Sequence, residues 1–158
     1  MPRITPNLWF DADALDAAEF YVSVFPNSAV TTITHYTDAG PGEPGSVLTV
    51  SFLLDGQEFT GINGGPLFQF TEAVSLLISC ADQAEVDRYW NTLTADGGEE
   101  SQCGWLKDKF GLSWQVVPAD WESVINDPDP ERVSRAMAAM FTMKKLDIAA
   151  LQAAAEGH

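Results

Sequence analysis

Basic residues are scarce in this chain, and more than half of it has none. The 158 residues include 8 Lys and Arg against 23 Asp and Glu, and no Lys or Arg occurs between Ile4 and Asp87. Proteins that bind nucleic acid or anionic membranes need basic patches to offset phosphate charge. We therefore expect no nucleic-acid and no membrane partner. The formal charge of −15 is compatible with a cationic ligand and also with a merely solvated acidic surface.

Cysteine and long apolar runs are also rare. The two cysteines, Cys80 and Cys103, suit a reducing compartment, and nothing in their spacing supports a disulfide. No apolar run approaches the roughly 20 residues that a membrane-spanning helix needs. No charged start followed by an apolar segment precedes Ile4. We expect a cytoplasmic protein.

Two weak copies of one unit make up most of the chain. Each has an apolar run, an Asp, an acid three residues later and then an aromatic pair, and Asp13 in the first copy corresponds to Asp82, 69 residues further along. This pattern is typical of a strand followed by a capped amphipathic helix. Each copy closes with a strand after a Gly turn, at 55–62 and at 110–117. The first helix is predicted over 13–25, with Leu15, Ala18, Val22 and Phe25 on one face.

The predicted fold class is α+β, with paired βαβββ modules and a C-terminal helical tail. We place one domain at residues 1–120, made of modules at about 4–65 and 72–118, and a helical extension at 121–158. A chain of 158 residues with 46% hydrophobic content suits one domain or two small halves that share a core. Residues 107–109, Lys-Asp-Lys, are interpreted as a solvated turn.

The tail carries its own helix signals and an apolar stripe. Asp129 before Pro130 predicts a helix start, and Asp147 predicts a second one. Met137, Met140 and Phe141 follow at helical spacing, which suits packing in a core or a subunit interface better than a promiscuous binding face. Because the sheets also expose edges, we expect a homodimer.

The order of strand, helix and three strands, repeated, resembles the vicinal oxygen chelate superfamily, which includes glyoxalase I, bleomycin-resistance proteins and extradiol dioxygenases. More specifically, the chain resembles the PhnB-like group, often labelled demethylubiquinone methyltransferase. The resemblance rests on segments 9–11, 20–28, 55–59, 63–66, 103–108, 113–118, 127–131 and 143–148. One departure is Leu67, where that group commonly has His.

The resemblance also implies where the metal of the superfamily would be held. Its ligands come from the first and last strand of each copy, which correspond here to Pro6, Thr60, Ser75 and Gln115. Transition metals need imidazole, carboxylate or thiolate, and this quartet offers none of them. We therefore expect no metal and no other cofactor.

The predicted ligand site is the cavity on the concave side of the sheets. Strand alternation puts Leu8 and Phe10 with Pro6, and Glu58 and Ile62 with Thr60. Trp105 lies near the predicted mouth, where it either stacks on a planar ligand or packs in the core. The predicted ligand-binding residues are Phe10, Glu58, Thr60, Ser75, Trp105 and Gln115. Alternatively, Thr60 and Gln115 hydrogen-bond each other in a closed core.

Three functions remain open at this point. The favoured one is metal-free binding of a small organic molecule, with catalysis unproven. The second is an enzyme, either a lyase or isomerase with Glu58 as base or the methyltransferase of the group's label. No Gly-rich turn opens a helix after a strand, so we expect no binding of S-adenosylmethionine. The third is sequestration of a cationic drug, as in bleomycin-resistance proteins.

Overall fold

The structure, a computed structural model, describes residues 1–158, which form two compact units at 1–70 and 71–158. The first unit comprises β1 (Asn7–Phe10), α1 (Ala14–Val24), β2 (Ala29–His35), β3 (Val47–Leu54) and β4 (Gln57–Asn63). Its sheet has the order β1-β4-β3-β2, with β1 parallel to β4 and the other pairs antiparallel. Asp55 and Gly56 make the turn between β3 and β4 with positive φ angles of 46° and 78°, as a two-residue hairpin favours.

Helix α1 buries small side chains against this sheet. Its buried residues are Ala14, Ala17, Ala18 and Tyr21. The predicted face was therefore wrong except at Ala18, because alanines allow the closest approach to the sheet. The approach is tight enough that a Cβ added to Gly61 would lie 3.2 Å from the Cβ of Ala14.

The second unit repeats the pattern and adds the tail. It comprises β5 (Ser75–Cys80), α2 (Gln83–Thr94), β6 (Glu99–Glu100), β7 (Trp105–Lys107), β8 (Ser113–Pro118), α3 (Trp121–Ile125), α4 (Pro130–Met140) and α5 (Ile148–Ala155). Its sheet has the order β5-β8-β7-β6, with β5 parallel to β8. The α+β class, the order of the strands and the presence of tail helices confirm the predicted architecture.

Three of the helices begin at the Asp residues that the sequence indicates as N-terminal caps. The carboxylate of Asp82 accepts from the backbone N–H of Glu85, that of Asp129 from Glu131, and that of Asp147 from Ala150. Helix α1 is the exception, because the Asp13 side chain makes no capping bond. The Asn63 side chain at the end of β4 caps it instead by accepting from the Ala14 N–H at 2.9 Å.

The tail is built into the second unit. Leu146 and Leu151 form a buried cluster with Val117 of β8, and Met140 packs against it. The backbone N–H of Gly104 donates to the Lys144 carbonyl at 2.8 Å, so the segment before α5 lies along the start of β7. No helix of the structure has both the length and the apolar character that crossing a bilayer requires.

Candidate functional site

The candidate site lies on one face of the second unit's sheet. Ser75 is in register with Ser113, and Gln115 is in register with both Leu77 and Trp105. Cross-strand partners point to the same side of a sheet, so these five side chains share a face. Lys107 on β7 is the partner of Ser113 and lies on the same face. We call the face that these six residues form the polar face. The alternate residues of β8, Trp114 and Val116, are buried on the other side.

A direct hydrogen bond joins two of the predicted site residues. Gln115 Nε2 donates to Ser75 Oγ at 2.9 Å, and both residues are half-buried. Trp105, also half-buried, lies beside Gln115. The second unit thus brings together three of the six predicted ligand-binding residues, on a face whose apolar member Leu77 is 55% exposed.

Ser113 is the residue that the sequence-based list missed. It is fully buried at 0% exposure, and its Oγ is the one buried side-chain N or O atom without a hydrogen-bond partner. Buried polar groups are almost always paired, so an unpaired hydroxyl marks a place where water or a ligand completes the bonding. Ser113 lies two residues before Gln115 on β8 and therefore on the same face, and this spacing could have identified it from the sequence.

A small cavity of about 120 Å³ adjoins Ser113. Trp105, Lys107, Glu72 and Glu99 are among the residues that line it. Lys107 Nζ lies 2.5 Å from Glu72 Oε1. The hydrogen bond from Lys107 lowers the pKa of the Glu72 carboxyl, and Glu72 in turn raises the pKa of the Lys107 ammonium. Both groups are therefore charged at neutral pH and neutralise each other beside the cavity.

Residues 107–109 were interpreted from the sequence as a solvated turn, and the structure shows that this interpretation was wrong. Lys107 belongs to β7, and Asp108 is 2% exposed. The Asp108 carboxylate accepts from the backbone N–H groups of Phe110 and Leu112 and, at 2.8 Å, from Trp114 Nε1. Three donors make burial of this charge tolerable and hold the loop that leads from the cavity into β8.

In the first unit, β1 is displaced by one residue from the predicted register. Asn7 is the Cα partner of Thr60, and Trp9 is the partner of Ile62, so these residues share the face of Thr60. Phe10 is 4% exposed and packs near Gly61 on the side of α1. The predicted placement of Phe10 and Leu8 on the face of Thr60 was therefore wrong.

Glu58 and Thr60 lie on β4 of the first unit, both half-buried. Glu58 Oε2 lies 3.3 Å from the exposed guanidinium of Arg3, and the Glu58 side chain retains 34% of its exposure. The Thr60 backbone N–H donates to the Pro6 carbonyl at 3.0 Å. Within the second unit, the partner of the Gln115 amide is Ser75.

The four positions that correspond to the superfamily's metal ligands do not fit a transition metal. Ser75 and Gln115 are neutral and hydrogen-bonded to each other, and the Pro6 side chain has no donor atom. No group of three or more His, Cys, Asp or Glu side chains is arranged to hold a metal ion. Neutral hydroxyl and amide groups do not offset the dehydration of a divalent transition metal.

Two four-stranded mixed sheets, each with one helix between its first two strands along the chain, define the class of this protein: it has the glyoxalase/bleomycin-resistance fold. Within that class the chain belongs to the family described as 3-demethylubiquinone-9 3-methyltransferase, whose model matches residues 2–117. The match ends before α3.

Solved structures agree with this assignment. The PhnB protein from Bacillus cereus is 35% identical, with 73% of this chain and 99% of that one covered and a TM-score of 0.66. Protein PA1353 from Pseudomonas aeruginosa is 17% identical, covering 75% and 98% of the two chains with a TM-score of 0.61. The fosfomycin resistance protein FosX from Listeria monocytogenes, complexed with Mn(II) and sulfate, is 16% identical, covering 78% and 94% with a TM-score of 0.53. The last two show the fold alone, and the comparison with curated proteins found no match.

Proposed function

We propose that this chain binds a small planar organic molecule with hydroxyl or carbonyl groups on the polar face of the second unit, without a metal. The observation that carries the proposal is the buried, unpaired hydroxyl of Ser113 beside a cavity of about 120 Å³. An unpaired hydroxyl costs about 1–3 kcal/mol, and a ligand group that bonds to it recovers this cost.

The neighbours of Ser113 supply the rest of a recognition surface. The Gln115–Ser75 pair retains an amide oxygen and a hydroxyl that can accept or donate further bonds. The indole of Trp105 and the exposed side chain of Leu77 offer apolar contacts for the body of a ligand. Lys107 and Glu72 cancel each other's charge, and the carboxylates of Glu99 and Glu100 also line the cavity, so this mixture suits a neutral molecule that donates hydrogen bonds better than an anion.

The family description gives a reason to choose a quinol as the probe. It names demethylubiquinone, whose ring is planar and carries several oxygens. A soluble dimethoxy-methyl-hydroquinone presents the same ring without the isoprenoid chain. It fits the donors and acceptors of the polar face, and binding requires no methyl transfer.

An amide NMR titration of the full chain with this hydroquinone tests the proposal. We expect saturable shifts at Ser75, Ser113, Gln115 and the Trp105 indole, and affinity that falls about tenfold in Gln115→Leu, because one hydrogen-bonding group is worth about 1–1.5 kcal/mol. Ser134→Ala, on the exposed side of α4, is the control and should bind like the wild type. Shifts that do not saturate, or that leave these four residues unmoved, would refute the site.

A general-base enzyme built on Glu58 receives less support from the structure. The Glu58 carboxylate is partly exposed and is ion-paired with Arg3, and neither observation marks it as a base. We therefore put binding, rather than lyase or isomerase chemistry, first.

A further inference from the structure

The first unit contains a larger cavity that the proposed function does not use. It has a volume of about 440 Å³, within the range of small-molecule sites. It lies where β1 and β4 end, between the start of α1 and the β2–β3 connection. The residues that line it include Asp11, Leu15, Asp16, Tyr36, Pro41 and Val47.

We propose that this cavity binds a small organic cation, an ammonium or guanidinium group with an apolar body, between the Tyr36 ring and the carboxylates of Asp11 and Asp16. The site is independent of the polar face of the second unit. Three features of the first unit carry the proposal: the preformed walls of the cavity, its charge and its aromatic side.

Hydrogen bonds hold the walls in place. Trp9 Nε1 donates to the Gly65 carbonyl at 2.9 Å, and the Gly65 N–H donates to the Asp11 carbonyl at 3.1 Å. The Tyr36 hydroxyl donates to the Asn63 carbonyl at 2.5 Å. A Cβ at Gly64 would lie 2.2 Å from the Trp9 ring, so this turn is packed against β1. The cavity is thus ordered before any ligand arrives, which lowers the entropic cost of binding.

The charge at the mouth is negative and uncompensated within the unit. No hydrogen bond or ion pair engages the exposed Asp11 and Asp16 side chains, and the Asp13 carboxylate makes no capping bond. The N-terminus of α1 contributes about half a positive charge, which three carboxylates outweigh. Between Ile4 and Asp87 the chain has no Lys or Arg that could neutralise them. Arg3, the one Lys or Arg of the unit, is paired with Glu58, so a ligand cation would be the complement of these carboxylates.

The remaining walls suit the body of an organic cation better than a hydrated metal ion. Tyr36, Leu15, Pro41 and Val47 present an aromatic ring and aliphatic carbons. The face of an aromatic ring attracts a cation through the ring quadrupole, and aliphatic walls favour an alkylated ammonium over a strongly hydrated ion. The carboxylates and Tyr36 therefore select for charge, and the aliphatic side chains select for apolar bulk.

A titration with choline and its neutral isostere dimethylbutanol tests this proposal. Amide NMR of the full chain is expected to show saturable shifts with choline at Tyr36, Asn63, Gly64 and Gly65, and at least about fivefold weaker binding of dimethylbutanol. The Asp11→Asn/Asp16→Asn double variant should lose about tenfold in choline affinity, since it removes both exposed carboxylates that line the cavity.

Matched variants separate the cavity from general acidity. The Glu19→Gln/Asp55→Asn double variant removes two exposed acids of the same unit that do not line the cavity, and it should bind choline within about twofold of the wild type. Tyr36→Leu removes the ring and should weaken choline binding severalfold. Equal affinity for choline and dimethylbutanol, equal losses in both double variants, or no saturable shift at the cavity residues would each overturn the proposal.

Discussion

At the scale of single residues, buried polar side chains with complete sets of partners hold the loops around the polar face. Asp108 is the clearest case, because its carboxylate accepts from two backbone N–H groups and an indole in an interior position. Asn63 plays the corresponding part in the first unit, where it caps α1 and also donates to the Val47 carbonyl at 3.2 Å. In both units a side chain orders the backbone next to a cavity.

Asp108→Ala should destabilise the chain by about 3 kcal/mol, because it leaves three buried donors without an acceptor. Urea unfolding measures the effect as a lower midpoint with an unchanged slope. Asp38→Ala, which removes an exposed carboxylate from a turn, is the control and should stay within about 0.5 kcal/mol of the wild type. Equal stability of the two variants would show that Asp108 does not hold the loop.

The two thiols should differ in reactivity. Cys80 is fully buried, and burial raises its pKa from 9.0 to about 11, with the nearby Glu85 adding to the shift. At pH 8 the Cys80 thiolate is then only about one molecule in a thousand. We expect a thiol-specific disulfide reagent at pH 8 to modify one cysteine of the folded chain, and to modify none in Cys103→Ser. Rapid modification in that variant would contradict the burial of Cys80.

The same shift predicts a pH dependence of stability. Because the pKa is higher in the folded state, the unfolded chain releases its proton first as the pH rises. The contribution of the neutral thiol is complete below about pH 9 and is lost between about pH 9 and 11. Cys80→Ala should flatten the fall in unfolding free energy over this window, and an unchanged pH profile would count against the shift.

The neutral donor set of Ser75 and Gln115 predicts no stoichiometric metal in the wild-type chain. Elemental analysis after purification without chelator should find well under one transition metal per chain. Ser75→His/Gln115→Glu should raise the affinity for Zn²⁺ on the order of tenfold or more, because the two side chains already meet at 2.9 Å. One metal per wild-type chain that is lost on Gln115→Ala would refute this.

At the scale of elements, the tail helices are part of the second unit because backbone and side chains lock them onto it. Gln83 of α2 donates to the Leu146 carbonyl at 3.0 Å and accepts from the Ile148 N–H at 2.8 Å. Gly104 allows the close approach, since a Cβ there would lie 2.9 Å from the Val116 carbonyl oxygen and 3.1 Å from the Leu146 side chain.

A comparison of Gly104 with Gly111 separates the effect of this close approach from the cost of a positive φ angle. Gly104 and Gly111 have φ angles of 82° and 88°, but a Cβ on Gly111 would meet nothing within 4 Å. Both Gly→Ala variants pay about 1 kcal/mol for the left-handed backbone, and Gly104→Ala adds about 1–3 kcal/mol of overpacking. We expect thermal unfolding to rank Gly104→Ala clearly below Gly111→Ala, and equal melting temperatures would show that the tail is not packed there.

At the scale of the whole molecule, exposed apolar side chains accompany the acidic surface. Leu67, Phe68, Val74 and Leu77 are between 55% and 75% exposed, and Phe141 of the tail is 61% exposed. Monomeric proteins seldom leave so many large apolar side chains in water. We expect a homodimer that covers part of this surface.

Light scattering at micromolar concentration should therefore give a mass of about twice the 17.2 kDa of one chain. Phe141→Ser and Phe68→Ser should show which apolar patch lies in the interface. The variant that disrupts the interface should have a larger dimer dissociation constant, so it becomes monomeric at protein concentrations at which the wild type is still a dimer. Glu156→Gln, a surface change near the end of α5, is the control. A wild-type mass near that of one chain would contradict the dimer.

The local sequence determined the helix starts, the strand order and the class of fold, because capping and hydrophobic periodicity depend on residues within one or two turns of each other. Asp82, Asp129 and Asp147 cap helices as their positions predict. The repeat at a distance of 69 residues likewise indicated two equivalent modules. The lack of Lys and Arg between Ile4 and Asp87 is a property of the sequence alone.

Only the tertiary structure decided which face of each strand meets a helix, and therefore which side chains are buried. Alternation groups the residues of one strand onto a face but does not give the register between strands, so Phe10 was placed on the wrong side, whereas Ser75 and Gln115 do share a face. The burial of Asp108 and the unpaired hydroxyl of Ser113 depend on partners supplied by other strands and by a loop. The cavity beside Tyr36 depends on Asn63 reaching α1 across 49 residues of sequence, a contact that local patterns do not encode.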